Sequence, residues 1–170
     1  MTKRLASLLL AAALALTFGV TGAASAPTKV NFDKSVPAGT IVVMTKERRL
    51  YYVISTGVAL RYPVGVGKAG KQWQGQSAIE GKYVKPDWAP PPDIRAENPK
   101  LPQVIPGGAP NNPMGVAAMV LNGGKYGIHG TNRPGSIGGF VSHGCIRMYN
   151  QDILDLFARV HVGTPVIVRL

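Results

Sequence analysis

Between Lys85 and Pro113 the chain carries nine prolines in 28 residues: Pro86, Pro90, Pro91, Pro92, Pro99, Pro102, Pro106, Pro110 and Pro113. Each proline fixes φ and deletes a backbone donor, so neither a central strand nor a long helix runs through this stretch. The fold must be built from the segments on either side. A linker between two domains is one reading. Too little chain remains on each side for two cores, however, and Trp88 and Ile94 are apolar anchors within the stretch. A long loop covering a site fits better.

The flanking segments read as strands. Thr40-Ile41-Val42-Val43-Met44-Thr45 is a β-branched run that suits a buried strand. Lys46-Glu47-Arg48 makes a charged turn, Leu50–Ile54 a second strand, Ser55-Thr56-Gly57 a turn, and Val58–Val66 a third strand. Strand character resumes at 115–122 and 126–129, and 164–169 reads as a closing strand. One helix is expected near 150–161: Ile153, Leu154, Phe157 and Val160 recur at helical spacing, Asn150 suits the N-cap, and Gly163 stands where a C-cap belongs. The expected fold is mainly β, a small sandwich or barrel-like pair of mixed sheets with this helix and the Pro-rich loop as a cap.

The start of the chain predicts export. Lys3 and Arg4 precede an apolar run from Leu5 to Val20, and Ala24-Ser25-Ala26 has the small-residue pattern of a cleavage site. Residues 1–26 are expected to be a signal peptide, 27–39 a short lead-in and 40–170 the functional domain. Cleavage near Ala26 would place the mature protein in the periplasm or cell envelope. The formal charge is +11 over the whole chain and, without Lys3 and Arg4, +9. Such a balance favours an anionic partner. Export argues against nucleic acid, and the dispersed cations define no specific site.

Cys145 is the only cysteine, so no intramolecular disulfide is available to it. It lies in Ser142-His143-Gly144-Cys145-Ile146-Arg147, and His129 stands 16 positions upstream in Ile128-His129-Gly130-Thr131. A thiol attacks a carbonyl as thiolate, and a neighbouring imidazole can take its proton and later protonate the leaving group. His129 and His143 are both candidate bases. His161 follows the helix and reads as structural.

These two motifs, with Tyr62–Gly67, Asn112-Pro113-Met114-Gly115 and Gly163-Thr164-Pro165-Val166, resemble the L,D-transpeptidase family with the YkuD-type catalytic domain over about Thr40 to Leu170. The resemblance implies Cys145 as nucleophile and His129 as general acid/base. The Gly130 carbonyl would orient His129, and His143, Gly144, Arg147 and Ser142 would serve the oxyanion and the substrate. Many members carry Asn where this chain has Arg147, for which a substrate carboxylate and a structural salt bridge are both open roles. The substrate implied is the peptidoglycan stem peptide. Acyl transfer from it would go to another stem, a lysine-bearing envelope protein, a D-amino acid or water. Inactivation by carbapenem-type β-lactams is implied too. No cofactor or metal is expected.

Other readings stand beside it. His129, His143 and Cys145 as zinc ligands lack a fourth partner and a common spacing. A papain-like enzyme usually has its cysteine before its histidine, the reverse of this order. Another cysteine amidase or L,D-carboxypeptidase of the cell wall, or a non-catalytic wall-binding protein with a buried thiol, completes the set.

Overall fold

The computed structural model describes residues 27–170; the expected signal peptide lies outside the described residues. The strongest β-branched run forms β2 (Ile41–Met44), buried on both faces. Ile41 and Val43 enter the main core, and Val42 enters a second cluster with Val36, Val53 and Ala59. This two-sided burial is why the run is continuous rather than alternating. It also corrects the expected lead-in. Residues 28–31 form an edge strand, β1 (Thr28–Asn31), and Phe32 and Val36 cover the second cluster.

An antiparallel meander follows, with β3 (Arg49–Ser55) pairing β2 and β4 (Val58–Pro63) pairing β3 and β1. After β5 (Val66–Gly67) comes β6 (Gly75–Val84), the longest strand and one absent from the sequence expectation. Residues 75–78 of β6 pair with β11 (Pro165–Arg169), and 79–84 pair with β7 (Ala117–Leu121), with a register shift between Ile79 and Gly81. One strand therefore turns the corner between two halves of the fold, as strands do in orthogonal sandwiches. The remaining strands are β8 (Gly127–His129), β9 (Phe140–Ser142) and β10 (Ile146–Arg147). The nine-stranded order is β1-β4-β3-β2-β11-β6-β7-β8-β10, and β5 and β9 make a separate parallel pair. The mainly β, mixed-sheet expectation holds.

Among the described residues two α-helices stand where one was expected. In the Pro-rich segment, α1 spans Pro92–Glu97, opening on a proline that the first turn tolerates. The second, α2, spans Asn150–Arg159 and buries Ile153 and Leu156 against the main core. It ends two residues before the expected limit, and Gly163 is not its cap. Lys82 of β6 instead donates to the Phe157 and Val160 carbonyls at 2.7 and 2.6 Å. Nor is Asn150 an N-cap: it is the first helical residue, Tyr149 holds the cap position, and the Asn150 side chain is engaged elsewhere. Tyr62, fully buried, donates its hydroxyl to Asp155 at 2.6 Å and ties the meander to α2. Asp152 in the first turn is buried with Oδ2 unpartnered, and that burial, with Asp155 nearby, pushes its carboxyl up to about 6.

Candidate functional site

Parallel pairing of β8 with β10 sets Ile128 beside Ile146 and His129 beside Arg147, and the Met148 N–H donates to the His129 carbonyl at 2.8 Å. The two motifs, separated in sequence, thus become neighbouring strand ends. Cys145 immediately precedes β10. It lines a cavity of about 360 Å³ together with His129, Ser142, His143 and Arg147. The whole sequence-derived cysteine–histidine set except the two glycines lies on that wall. His161 does not; its Nδ1 sits 2.9 Å from the Val162 carbonyl.

The segment before the cysteine is held in a tight turn. Gly144 has φ +121°, and a Cβ there would run into the Tyr126 ring, so only glycine fits. Ser142 Oγ accepts from the Gly144 N–H at 3.1 Å and donates to the Cys145 carbonyl at 2.6 Å. That use of the Gly144 amide removes it from the oxyanion candidates. Trp73 donates its indole N–H to the Gly144 carbonyl at 2.9 Å and stacks on Tyr126 with ring centroids 4.7 Å apart.

His129 is 3% exposed. Its Nδ1 lies 2.7 Å from the Gly130 carbonyl, an acceptor, so Nδ1 carries the hydrogen and Nε2 is left basic. Burial lowers the imidazole to about 4, and the Gly130 and Pro113 carbonyls, which favour the charged ring, do not outweigh it. Burial likewise pushes the Cys145 thiol up, against the opposing pull of the Gly127 N–H and Arg147. Both groups therefore rest neutral in the free protein, in contrast to a preformed thiolate–imidazolium pair.

Side chains outside the two cysteine–histidine motifs hold this arrangement. Asn150 Oδ1 accepts from the Thr131 N–H at 3.0 Å and from the Val116 N–H at 3.4 Å, pinning the loop that carries the Gly130 carbonyl. A Cβ on Gly130 or Gly115 would strike that same oxygen. Glu97 of α1 meets His143 Nε2 at 2.9 Å and Lys68 Nζ at 3.3 Å, while Asp93 meets Lys71 at 3.2 Å. The Pro-rich segment is thereby clasped against the turn before Cys145, and its Trp88, Pro92, Asp93 and Ile94 line the cavity. Asn112 supplies what the prolines remove: its buried amide donates to the Pro86, Ile105 and Pro106 carbonyls at 2.9–3.2 Å, and its Oδ1 accepts from Met114 N–H.

Arg147 faces the cavity with Nε buried and unpartnered, and no carboxylate pairs with it among the described residues. The structural salt bridge expected as one of its roles is absent there. Among the described residues no cluster of three or more His, Cys, Asp and Glu is placed to hold a metal ion.

A mixed β fold that brings its lone cysteine and a carbonyl-oriented histidine to one cavity has the layout of a thiol-dependent acyl-transfer domain. The sequence model of the L,D-transpeptidase catalytic domain (YkuD) matches residues 38–168. The chain is 38% identical to "Probable L,D-transpeptidase YbiS" of Escherichia coli (strain K12) over 148 residues, 82% of this chain and 47% of that protein. It is 35% identical to "Putative L,D-transpeptidase YqjB" of Bacillus subtilis (strain 168), over 75% of this chain and 69% of the relative. The catalytic domain of the E. faecium L,D-transpeptidase, solved acylated by ertapenem, superposes with a TM-score of 0.59 at 22% identity, covering 79% of this chain and 98% of that one. L,D-transpeptidase 3 from Mycobacterium tuberculosis gives 0.61 at 16% identity, over 77% and 60%. The chain belongs to the L,D-transpeptidase family of the YkuD type. It spans about half the length of the E. coli relatives it matches.

Proposed function

We propose that this protein is an exported L,D-transpeptidase that acts on peptidoglycan tetrapeptide stems through a thioester on Cys145. Residues 1–26 serve as the signal peptide, cleaved near Ala26, and residues 40–170 as the catalytic domain, working in the periplasm or cell envelope. The observation that carries the reading is His129: its Nδ1–H is held by the Gly130 carbonyl, and it shares one cavity with the only thiol of the chain.

Because burial disfavours charge on both groups, the proton moves during attack rather than before it. As Cys145 Sγ bonds to the carbonyl carbon of the third stem residue, its proton passes to His129 Nε2. Collapse breaks the C–N bond to D-alanine, and the departing nitrogen takes the proton from His129. An acceptor amine then attacks the thioester and gives a proton to His129. A C–N bond forms, the C–S bond breaks, and the proton returns to sulfur. With the Gly144 N–H taken by Ser142, the Cys145 backbone N–H serves as the oxyanion donor. The acceptor is another stem, a lysine of an envelope protein or a D-amino acid. Carbapenems are expected to acylate Cys145, as ertapenem acylates the E. faecium domain.

The test is D-alanine release from a disaccharide-tetrapeptide. Wild type should release it; Cys145→Ala should release none while keeping its melting temperature. Sustained release by that variant would sink the assignment.

A further inference from the structure

In the turn before Cys145 the Gly144 N–H and the Cys145 carbonyl are both bonded to Ser142 Oγ, and the Gly144 carbonyl accepts from the Trp73 indole at 2.9 Å. The group of this pair of residues left for substrate is the Cys145 N–H. It belongs to the same peptide unit as the Gly144 carbonyl, and in a trans unit the two lie in one plane and point opposite ways. Trp73 is not part of the wall of the cavity that Cys145 lines. The carbonyl it holds is therefore turned out of that wall, and the N–H faces the other side, toward the cavity. Left alone this plane is soft, because it pivots on ψ of Gly144, a glycine at φ +121°. Trp73 itself is fixed. Its ring lies within 5° of parallel to the Tyr126 ring, and the chain leading to it is bound to the same turn. The Lys68 N–H donates to the Ser142 carbonyl at 2.9 Å, and the Lys71 carbonyl would be 3.3 Å from a Cβ on Gly144.

Building on the function proposed above, we propose that Trp73 is a positioning residue for the oxyanion site: by holding the Gly144 carbonyl it fixes the peptide plane whose N–H meets the oxygen of the tetrahedral intermediate. Two effects follow. The direction of the Cys145 N–H is set before substrate arrives, so no reorientation is needed as negative charge develops on the substrate oxygen. The peptide is also polarised, because a bond accepted at its carbonyl strengthens the donor at its nitrogen. Both effects act on acyl transfer, in which a carbonyl oxygen gains charge. Neither acts on the sulfur, which takes its own hydrogen bond from the Gly127 N–H. Trp73 touches no reacting atom and works only through the Gly144–Cys145 peptide.

The experiment sets a reaction that builds an oxyanion beside one that does not, using the full mature chain. Wild type and Trp73→Phe, which keeps a ring against Tyr126, are each acylated with a tetrapeptide donor and followed by intact mass. Each is also alkylated with iodoacetamide, where the sulfur displaces iodide at a saturated carbon. Trp73→Phe should acylate about tenfold more slowly, a part of the roughly 10²–10³-fold loss that follows removal of an oxyanion donor outright, and should alkylate at the wild-type rate. Replacing Trp73 by benzothienylalanine keeps the bicyclic ring and puts sulfur in place of the N–H. The same split is expected there, and this protein decides the matter if the Phe variant does not fold. Acylation at the wild-type rate without the indole N–H, or equal slowing of both reactions, overturns the role of Trp73 and leaves the thioester chemistry standing. A wild type that alkylates and never acylates overturns the proposed function and this role with it.

Discussion

His129 and Asp152 are both buried, and they titrate in the same pH range with opposite consequences for stability. Burial lowers the His129 imidazole from 6.5 to about 4. Between those values the unfolded chain binds a proton that the folded chain refuses, so stability rises with pH. With each unit of pH worth about 1.4 kcal/mol, this contribution is about 3 kcal/mol, present above 6.5 and lost on acidification. Burial raises the Asp152 carboxyl from 3.8 to about 6. There the folded chain holds the proton and the unfolded chain does not. Stability therefore falls as pH rises through the window, again by about 3 kcal/mol. The two trends offset each other in the wild type and separate on substitution. Relative to wild type, His129→Gln should gain about 3 kcal/mol between pH 7 and pH 4, and Asp152→Asn should lose about as much. Urea unfolding followed by tryptophan fluorescence across that range reads both, because titrations common to all three proteins cancel in the differences. A His129→Gln curve that stays parallel to wild type would refute a buried neutral imidazole.

Asn150→Ala strands the Thr131 and Val116 N–H groups, which should cost about 1–3 kcal/mol in urea unfolding and slow D-alanine release. Asn150→Asp keeps the acceptor oxygen and should restore release, which a purely steric role for the side chain would not require. Gly144→Ala drives a methyl into Tyr126 at φ +121° and should change the alkylation rate of Cys145 by iodoacetamide severalfold; an unchanged rate contradicts the tight turn. Trp73→Phe keeps the ring contact with Tyr126 and loses the bond to the Gly144 carbonyl, an effect of about 1 kcal/mol on unfolding.

The elements legible in the sequence are those whose side chains carry their own pattern. The meander from β2 to β4 is dense in β-branched and aromatic residues, and α2 is legible from Ile153, Leu154, Phe157 and Val160, although Leu154 proves exposed and Leu156 takes the buried place beside Ile153. The long strand β6 is hidden because a corner strand does not alternate: Gly75, Glu80, Gly81 and Lys82 serve the bend and a helix end rather than one core face. Strand β1 is hidden because its value lies in a second cluster, which exists only once Phe32 and Val36 pack on β2 and β3. The same division runs through the site. His129 and Cys145 sit in short local motifs whose chemistry is readable residue by residue. Trp73, Glu97 and Asn150 act through contacts 71, 46 and 19 positions away in the chain, which no local pattern encodes. The Pro-rich segment was legible as a cap by what proline forbids, whereas the clasp that seats it depends on pairings that form only in the fold.

The most direct measurement is peptide mapping of enzyme quenched soon after mixing with a tetrapeptide donor. The account predicts a tripeptide-stem acyl mass, one D-alanine lighter than the donor, on the peptide containing Cys145, and its loss in His129→Gln. D-alanine release with Cys145 unmodified, or acylation at any other residue, would contradict it.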